Sequence, residues 1–360
     1  MPLPVYITFP IDPDVARLQA ALGDDADAVE VLPGPMYLDH DSARTRKRAV
    51  TFGGDGGAPL VTGADGRLDG EPELTPAHLD AYRRAEVVVG VDVPLRLPGL
   101  APHLKWIQAA GAGVGQFGER DLAARGVVLT SAQGVGAPPI AEFVIGRLLE
   151  VYKRLPELAV LQREHRWEFT PGETLAGRTM VIVGLGAIGR EVAMRARPFG
   201  MRIVGIRRSY RPGDTSPVAD ELCGPDGLDE ALARADVVVL AAPESAETRG
   251  LFDAARLARL KPGAVLVNVA RGTLVDQAAL VAALQGGQLR AAVLDVVEPE
   301  PLPADHPLWD APGVFLSPHS STSRDGYDDR LLDLLAVNLR HYLRGEPLVN
   351  TVDLAALTGP

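Results

Sequence analysis

The ten residues 181–190, VIVGLGAIGR, decide the fold of this chain. An apolar, β-branched run leads into Gly184, Gly186 and Gly189, and a helix-forming segment follows. In such a strand–turn–helix the first glycine makes the tight turn, the second lets the backbone approach a pyrophosphate, and the third allows the helix to pack closely on the sheet. The helix N-terminus adds N–H groups without helical partners and the positive end of its dipole. The stretch therefore predicts a dinucleotide-binding unit.

Strand and helix patterns alternate on both sides of this unit. The apolar runs VYIT (5–8), EVVVGV (86–91) and LKWIQA (104–109) come before it, and ADVVVLAAP, GAVLVNVA, RAAVLDVV and GVFLSP follow it. Apolar strands that alternate with helices imply parallel, doubly wound sheets. We therefore expect an α/β protein with doubly wound parallel sheets.

Three further segments carry local predictions. A long helical pattern starts near Pro139, and Pro156 is expected to kink or break it. Residues 36–70 are polar and rich in turn-forming glycine, which indicates a surface excursion. Residues 328–345 predict an amphipathic helix that stops at Gly345.

Length, charge and cysteine usage limit the class of protein. The 360 residues suffice for two domains, and the formal net charge of −11 argues against nucleic acid or an anionic membrane surface as the main partner. No apolar run approaches the ~20 residues of a membrane span, and the first residues, MPLPVYITFP, do not read as a secretory signal. The single cysteine, Cys223, excludes an internal disulfide and a cysteine-based zinc site. We expect a cytoplasmic protein without a metal.

The stretch GIRRSY (205–210) bears on the choice of cofactor. An NAD-binding unit usually carries an Asp or Glu roughly 20 residues after the glycines, where it holds the ribose hydroxyls. Arg207 stands there instead, and its planar donor fork suits a 2′-phosphate. Arg208 and the Ser209 hydroxyl add donors in the same loop. NADP(H) is therefore favoured, and NAD(H) is the alternative if the arginines are solvated or stack on the adenine.

Three other stretches place chemically capable side chains at or just beyond predicted strand ends, the edge at which open α/β sheets bind ligands. VNVARGTLVD (267–276) contains Arg271, LDVVEPEPLPADHPLW (294–309) contains Asp295 and Glu300, and VFLSPHSST (314–322) contains His319. Together with AGAGVG and GLGAIG, these motifs resemble, in order and spacing, the D-isomer-specific 2-hydroxyacid dehydrogenase family, which includes glyoxylate/hydroxypyruvate reductases. The resemblance runs over nearly the whole of residues 75–350. It implies two domains with a cleft between them: a flavodoxin-like substrate-binding domain, residues 1–136 plus 323–360, and a Rossmann-type dinucleotide-binding domain, residues 137–322.

The resemblance implies an NAD(P)-dependent oxidoreductase that transfers hydride between the nicotinamide and a small 2-keto acid or D-2-hydroxy acid. Arg271 would bind the substrate carboxylate, His319 would be the general acid or base, and Glu300 would raise the pKa of His319. Asp295 would orient the nicotinamide carboxamide. Backbone N–H groups around Ala112 and Gly113 would cradle the substrate carboxylate. Further cofactor contacts would come from Ala187, Ile188, Ala242, Pro243, Val269 and Ala270. A homodimer would form through the helical segment whose apolar residues lie within 140–161.

The chain departs from the family pattern at Gly115, where Asp is common, and at Val297, where an aromatic residue is common. No regulatory domain is expected after residue 350, and the chain is therefore expected to differ from the longer phosphoglycerate dehydrogenases. Two other readings remain open: a non-catalytic NAD(H)-sensing protein like the corepressors of this fold, and a formate dehydrogenase, which typically has an amide at the position of Glu300. The other histidines are expected to be structural or solvated: His40, His78, His103, His165, His306 and His341.

Overall fold

The computed structural model describes residues 1–8, 15–35, 74–94, 96–118, 122–323 and 325–354. The surface excursion predicted for residues 36–70 lies outside them. The chain forms two compact units: one contains the described residues up to Gly136 and those from Asp325 onward, and the other contains Ala137–Ser323. Each unit has its own sheet and its own apolar core.

Strands and helices of the described residues are numbered in chain order. The strands are β1 Leu3–Ile7, β2 Val29–Val31, β3 Val87–Gly90, β4 Trp106–Ala109, β5 Val128–Thr130, β6 Thr179–Val183, β7 Arg202–Ile206, β8 Glu221–Cys223, β9 Val237–Leu240, β10 Ala264–Asn268, β11 Leu289–Leu294, β12 Val314–Leu316 and β13 Thr351–Val352. The helices are α1 Val15–Leu22, α2 Pro76–Arg84, α3 Leu97–Leu100, α4 Ala137–Tyr152, α5 Leu155–Arg163, α6 Ala187–Ala196, α7 Leu228–Leu232, α8 Ala254–Arg259, α9 Gln277–Gln285 and α10 Tyr327–Arg344.

The first unit is built on a sheet with the strand order β2-β1-β3-β4-β5-β13. All neighbours are parallel except β13, which closes the edge antiparallel to β5. Side chains alternate between two cores, since Val5 and Ile7 of β1 pack with Leu18 of α1 and Leu335 of α10, whereas Tyr6 packs with residues of α2. The flavodoxin-like order of the first five strands confirms the predicted fold class.

The second unit is built on a fully parallel sheet with the order β12-β11-β10-β9-β6-β7-β8. The chain runs from β6 outward to β8, returns to β9 on the other side of β6, and continues to β12. The order therefore reverses between β6 and β9, and ligands of open α/β sheets bind at such a switch point, beyond the carboxyl ends of the strands. The predicted Rossmann-type sheet is confirmed.

Proline and glycine set the ends of two long helical segments. The predicted break is confirmed, because α4 ends at Tyr152, Arg154 adopts a left-handed conformation with φ 55°, and α5 then begins. Pro156 lies in the first turn of α5, where its missing N–H leaves no helical hydrogen bond unmade. Helix α10 ends at Arg344, and Gly345 follows with φ 66°, as the sequence predicted.

The described residues contain neither a bilayer-spanning helix nor a cluster of metal-ligating side chains. None of the helices in these ranges is both long and apolar enough to cross a lipid bilayer. No group of three or more histidine, cysteine, aspartate or glutamate side chains in the same ranges is arranged to hold a metal ion.

Candidate active site

The glycine turn between β6 and α6 lies at the switch point. Gly184 has φ +99°, and a Cβ there would stand 2.5 Å from the backbone nitrogen of Ala242. A Cβ at Gly189 would stand 2.2 Å from the carbonyl oxygen of Gly184. At Gly186, the N-cap of α6, no described atom lies within 4 Å of the corresponding position. Two glycines thus permit close packing and the third leaves open space at a helix N-terminus, which fits a pyrophosphate.

The other residues predicted to contact the cofactor follow neighbouring strands. Ala187 and Ile188 form the first turn of α6 and are partly buried. Ala242 and Pro243 follow β9, which is tied to β6 because the Ala241 N–H donates to the Val183 carbonyl at 2.9 Å. Val269 and Ala270 are both buried and follow β10, the neighbouring strand. The structure brings these residues to the same edge of the sheet, and their contacts with a cofactor stay a prediction.

The loop predicted to bind the 2′-phosphate begins directly after β7. The backbone N–H of Arg207 donates to the carbonyl of Cys223 at 3.0 Å, and its guanidinium forms an ion pair with Asp214. Arg208 and Ser209 are exposed. Asp214 was not singled out from the sequence, because it lies outside the short run of residues that follows the strand.

A histidine–glutamate pair occupies the opposite part of the same sheet edge. Nδ1 of His319 lies 3.0 Å from Oε2 of Glu300, and Oε1 of Glu300 accepts the backbone N–H of Val297 at 3.1 Å. Because a carboxylate only accepts, Nδ1 carries the proton and Nε2 is left for another partner. The His319 side chain is 54% exposed and that of Glu300 is 19% exposed. The fold therefore brings together the two side chains that the sequence predicted as a pair, and their catalytic role stays a prediction.

Each member of this pair shifts the pKa of the other. The hydrogen bond that His319 donates to Glu300 raises the pKa of the imidazole above its ordinary value, although burial acts in the opposite direction. Burial acts to raise the pKa of the Glu300 carboxyl, but the hydrogen bond and charge of His319 outweigh it and hold that pKa below the usual range. The pair therefore favours an imidazolium beside a carboxylate.

Asp295 shapes the loop that carries His319. Its Oδ1 accepts the Ser317 hydroxyl at 2.6 Å and the backbone N–H groups of Ser320 and Ser321 at 2.8 and 2.9 Å, and its Oδ2 accepts the Ser321 hydroxyl at 2.5 Å. The backbone N–H of His319 donates to the Asp295 carbonyl at 2.9 Å, and His319 has φ 51°. A left-handed conformation is uncommon for histidine, so these hydrogen bonds hold it. The predicted contact of Asp295 with the nicotinamide stays a prediction.

Arg271 is presented by a short turn after β10. The buried Asn268 side chain donates to the Arg271 carbonyl at 2.9 Å and accepts the Ala270 N–H at 3.0 Å, which fixes the turn. The Arg271 guanidinium is exposed and donates to the Ala270 carbonyl at 2.7 Å. Its positive charge acts to lower the pKa of the Glu300 carboxyl and the pKa of the His319 imidazole, so Arg271 interacts electrostatically with both groups.

Gly272 brings the Arg271 turn against the loop that contains Glu300. A Cβ at Gly272 would stand 2.1 Å from both the carbonyl carbon and the carbonyl oxygen of Val297. The same loop is held by Gln277, whose side chain accepts the Glu298 N–H at 3.1 Å and donates to the Glu298 carbonyl. Neither residue was predicted from the sequence, although the glycine after Arg271 was a signal that two backbones approach each other there.

Replacing Gly272 with alanine is therefore expected to displace the Glu300 loop. We expect the free energy of unfolding to fall by about 1–3 kcal/mol, as for other overpacked sites, because the Val297 backbone must move. Chemical denaturation measures this change. Gly146→Ala is the matched control, since no described atom lies within 4 Å of that Cβ position, and it should not destabilise the chain. Equal stability of the two variants would contradict the close packing described for Gly272.

The residues predicted to cradle the substrate carboxylate belong to the other unit. Ala112 and Gly113 are exposed and lie in the loop that follows β4, at the carboxyl end of a central strand of that sheet. Arg271, Glu300 and His319 all belong to the unit Ala137–Ser323. Gly115 begins a short 3-10 turn after the same loop, and Val297 is partly buried.

Comparisons with known proteins agree with this geometry. Residues 145–321 match the family model of the D-isomer specific 2-hydroxyacid dehydrogenase, NAD binding domain. The chain is 36% identical to a glyoxylate reductase of Thermofilum pendens over 254 residues, which are 68% of this chain and 74% of that protein. It is 37% identical to a D-3-phosphoglycerate dehydrogenase of Mycobacterium tuberculosis over 256 residues, 71% of this chain and 48% of that protein, and so spans about half its length.

Solved structures show the same likeness over the whole chain. The crystal structure of a D-isomer specific 2-hydroxyacid dehydrogenase from Xanthobacter autotrophicus Py2, in complex with NADPH and MES, superimposes with a TM-score of 0.71. It is 27% identical to this chain, and the alignment covers 99% of each protein.

Proposed function

The chain belongs to the D-isomer specific 2-hydroxyacid dehydrogenase family, and from this premise we propose that it is an NAD(P)-dependent 2-keto acid reductase. Its substrate is a small 2-keto acid such as glyoxylate or hydroxypyruvate, and its product is the D-2-hydroxy acid. The observation that carries the proposal is the His319–Glu300 pair, 3.0 Å between Nδ1 and Oε2, with the charge of Arg271 beside it.

In the proposed mechanism each of the three side chains acts on the substrate or on its neighbour. The nicotinamide, when bound, supplies the hydride for the carbonyl carbon. Arg271 binds the substrate carboxylate through its planar donor fork and withdraws electron density from the adjacent ketone. His319 gives the proton on Nε2 to the ketone oxygen and takes it back in the reverse reaction. Glu300 holds the imidazole by Nδ1 and stabilises its charged form.

We assign the dinucleotide site at the glycine turn and the catalytic side chains to the unit Ala137–Ser323. Donation to the substrate carboxylate by backbone N–H groups around Ala112 and Gly113 stays a prediction.

A negatively charged chain with one cysteine suits the cytoplasm, where thiols stay reduced.

The pH dependence of Glu300→Gln tests the catalytic pair. The folded-state pKa of His319 is raised by Glu300, so the neutral amide should lower it. Reduction needs protonated His319, and the rate therefore falls as pH rises through that pKa. In E300Q this fall in kcat/KM should occur at lower pH, with a loss of about 10–100-fold at pH 8. A profile that does not move would show that Glu300 does not control the titration of His319.

The cofactor and the substrate class are tested by initial rates. Oxidation of NADPH and of NADH is measured at equal, low concentrations with glyoxylate and with hydroxypyruvate. We expect turnover with both acids and faster turnover with NADPH, supported by Arg207, Arg208 and Ser209 after β7. Faster turnover with NADH would overturn the cofactor preference. Cofactor binding without turnover on either acid would overturn the proposed activity and favour a nucleotide sensor.

We also propose that two copies of the chain associate through residues 155–169. Helix α5 buries none of its residues within the described chain, and Trp167 and Phe169 have exposed fractions of 103% and 93%. Exposed apolar residues also lie on α5: Leu155, Leu158 and Val160. Exposed apolar side chains that are concentrated in one segment are typical of a protein–protein interface.

Loss of the aromatic side chains should dissociate the proposed dimer. Trp167→Ser combined with Phe169→Ser is expected to raise the dimer dissociation constant by at least about 30-fold, because buried aromatic anchors dominate such interfaces. Sedimentation velocity over a concentration series measures it. Phe199→Ser is the control, since that ring is 40% exposed outside the segment and its loss should leave the dissociation constant unchanged. A wild-type chain that sediments as a monomer would contradict the proposal.

A further inference from the structure

We infer that Asp214 sets how strongly this chain prefers NADPH over NADH, because its carboxylate occupies the guanidinium of Arg207. The inference rests on the proposed use of a nicotinamide dinucleotide and concerns the discrimination of the adenosine 2′-phosphate.

The Arg207–Asp214 pair is fixed by the backbone of the loop after β7. Oδ2 of Asp214 forms the ion pair and also accepts the Arg211 N–H at 3.1 Å, and the Asp214 N–H donates to the Arg211 carbonyl at 2.9 Å. Both side chains are about one-third exposed, 32% for Arg207 and 31% for Asp214. The carboxylate is therefore held in place by the turn as well as by the arginine that it faces.

This arrangement places a competing anion at the predicted phosphate site. A phosphate monoester would meet Arg207 with its Nη2 donor already engaged by Asp214, and the two anions repel each other. NADH has hydroxyl groups at this position and meets no such repulsion. The fixed carboxylate therefore weakens binding of the phosphorylated cofactor selectively.

Arg208 is the better placed of the two arginines to contact the phosphate. It is exposed and adjacent to the exposed Ser209 hydroxyl. A carboxylate near it is that of Glu247, which accepts the Ser245 hydroxyl at 2.6 Å. This hydrogen bond is the main cause that lowers the pKa of Glu247, and the charge of Arg208 acts in the same direction. Glu247 is itself exposed, so solvent screens its charge more than that of Asp214. We therefore assign direct contact with the 2′-phosphate to Arg208.

The test is the ratio of the dissociation constants for NADPH and NADH, measured by titration of each reduced nucleotide without substrate. Asp214→Asn should tighten NADPH binding about tenfold and change NADH binding by less than about twofold, since only the charge is removed. Arg208→Ala should weaken NADPH binding by about 10–100-fold, as expected for loss of a charged donor to a phosphate. Adenosine 2′,5′-bisphosphate and 5′-AMP serve as probes that lack the nicotinamide. In each variant the affinity for the bisphosphate should change as the affinity for NADPH does, and the affinity for 5′-AMP as the affinity for NADH does.

Two further variants serve as controls. Asp214→Glu keeps the charge, so its ratio of the NADPH and NADH dissociation constants should stay near that of the wild type. Glu142→Gln removes a carboxylate from an exposed pair with Arg195 elsewhere in the unit and should change neither constant. An unchanged ratio in D214N, or weaker NADPH binding, would overturn the inference alone. Failure of the wild type to bind either nucleotide would overturn the proposed cofactor, and this inference with it.

Discussion

Replacement of His319 by asparagine is expected to lower kcat for 2-keto acid reduction by about 10³-fold, the typical contribution of a general acid. The amide keeps a polar group on the loop but cannot deliver a proton to the ketone oxygen. Binding of NADPH should change by less than about twofold, because the histidine is proposed to act on the substrate and not on the cofactor. Single-turnover measurements with saturating nucleotide separate the chemical step from release of the product.

Two comparisons make the His319 result specific. His103→Asn removes an exposed histidine from the other unit and should retain wild-type kcat. His319→Asn should also lose the pH dependence that is assigned to the imidazole. A variant that keeps more than about a tenth of the wild-type rate would exclude His319 as the proton donor.

Replacement of Arg271 by lysine is expected to lower kcat/KM for glyoxylate by about 10²–10³-fold, since an ammonium group cannot reproduce a bidentate contact with a carboxylate. Most of this loss should appear as a higher KM, and Arg271→Met should lose more because it also removes the charge. Arg84→Lys, in an exposed pair with Glu30 of the other unit, is the matched control. An unchanged KM in R271K would place the carboxylate site elsewhere.

The features of the fold and of the candidate site that the sequence predicted depend on local patterns. A β-branched run followed by spaced glycines predicts a strand–turn–helix, and φ +99° at Gly184 agrees with it. Arg271, Glu300 and His319 could be grouped because residues beyond the carboxyl ends of parallel strands meet at one edge of the sheet. The break before Pro156 followed from the geometry of proline alone.

The contacts that the sequence did not predict join loops that have no periodic pattern. Asp214 reaches Arg207 only because the loop turns back on itself. The contact of Gly272 with Val297 depends on two loops that are 25 residues apart in the chain. Asp295 was predicted from the family resemblance to contact the cofactor, and its four hydrogen bonds within the His319 loop appear only in the folded chain.

Hydride transfer to the carbonyl carbon of a 2-keto acid can be followed with an isotopic label on the cofactor. The chain is incubated with hydroxypyruvate and NADPH that carries deuterium at nicotinamide C4 in the transferable position, prepared separately for each face. The product is analysed for deuterium at C2 and for its enantiomer. We expect D-glycerate with deuterium at C2 from one of the two labelled cofactors. L-Glycerate, or no labelled product although NADPH binds, would contradict it.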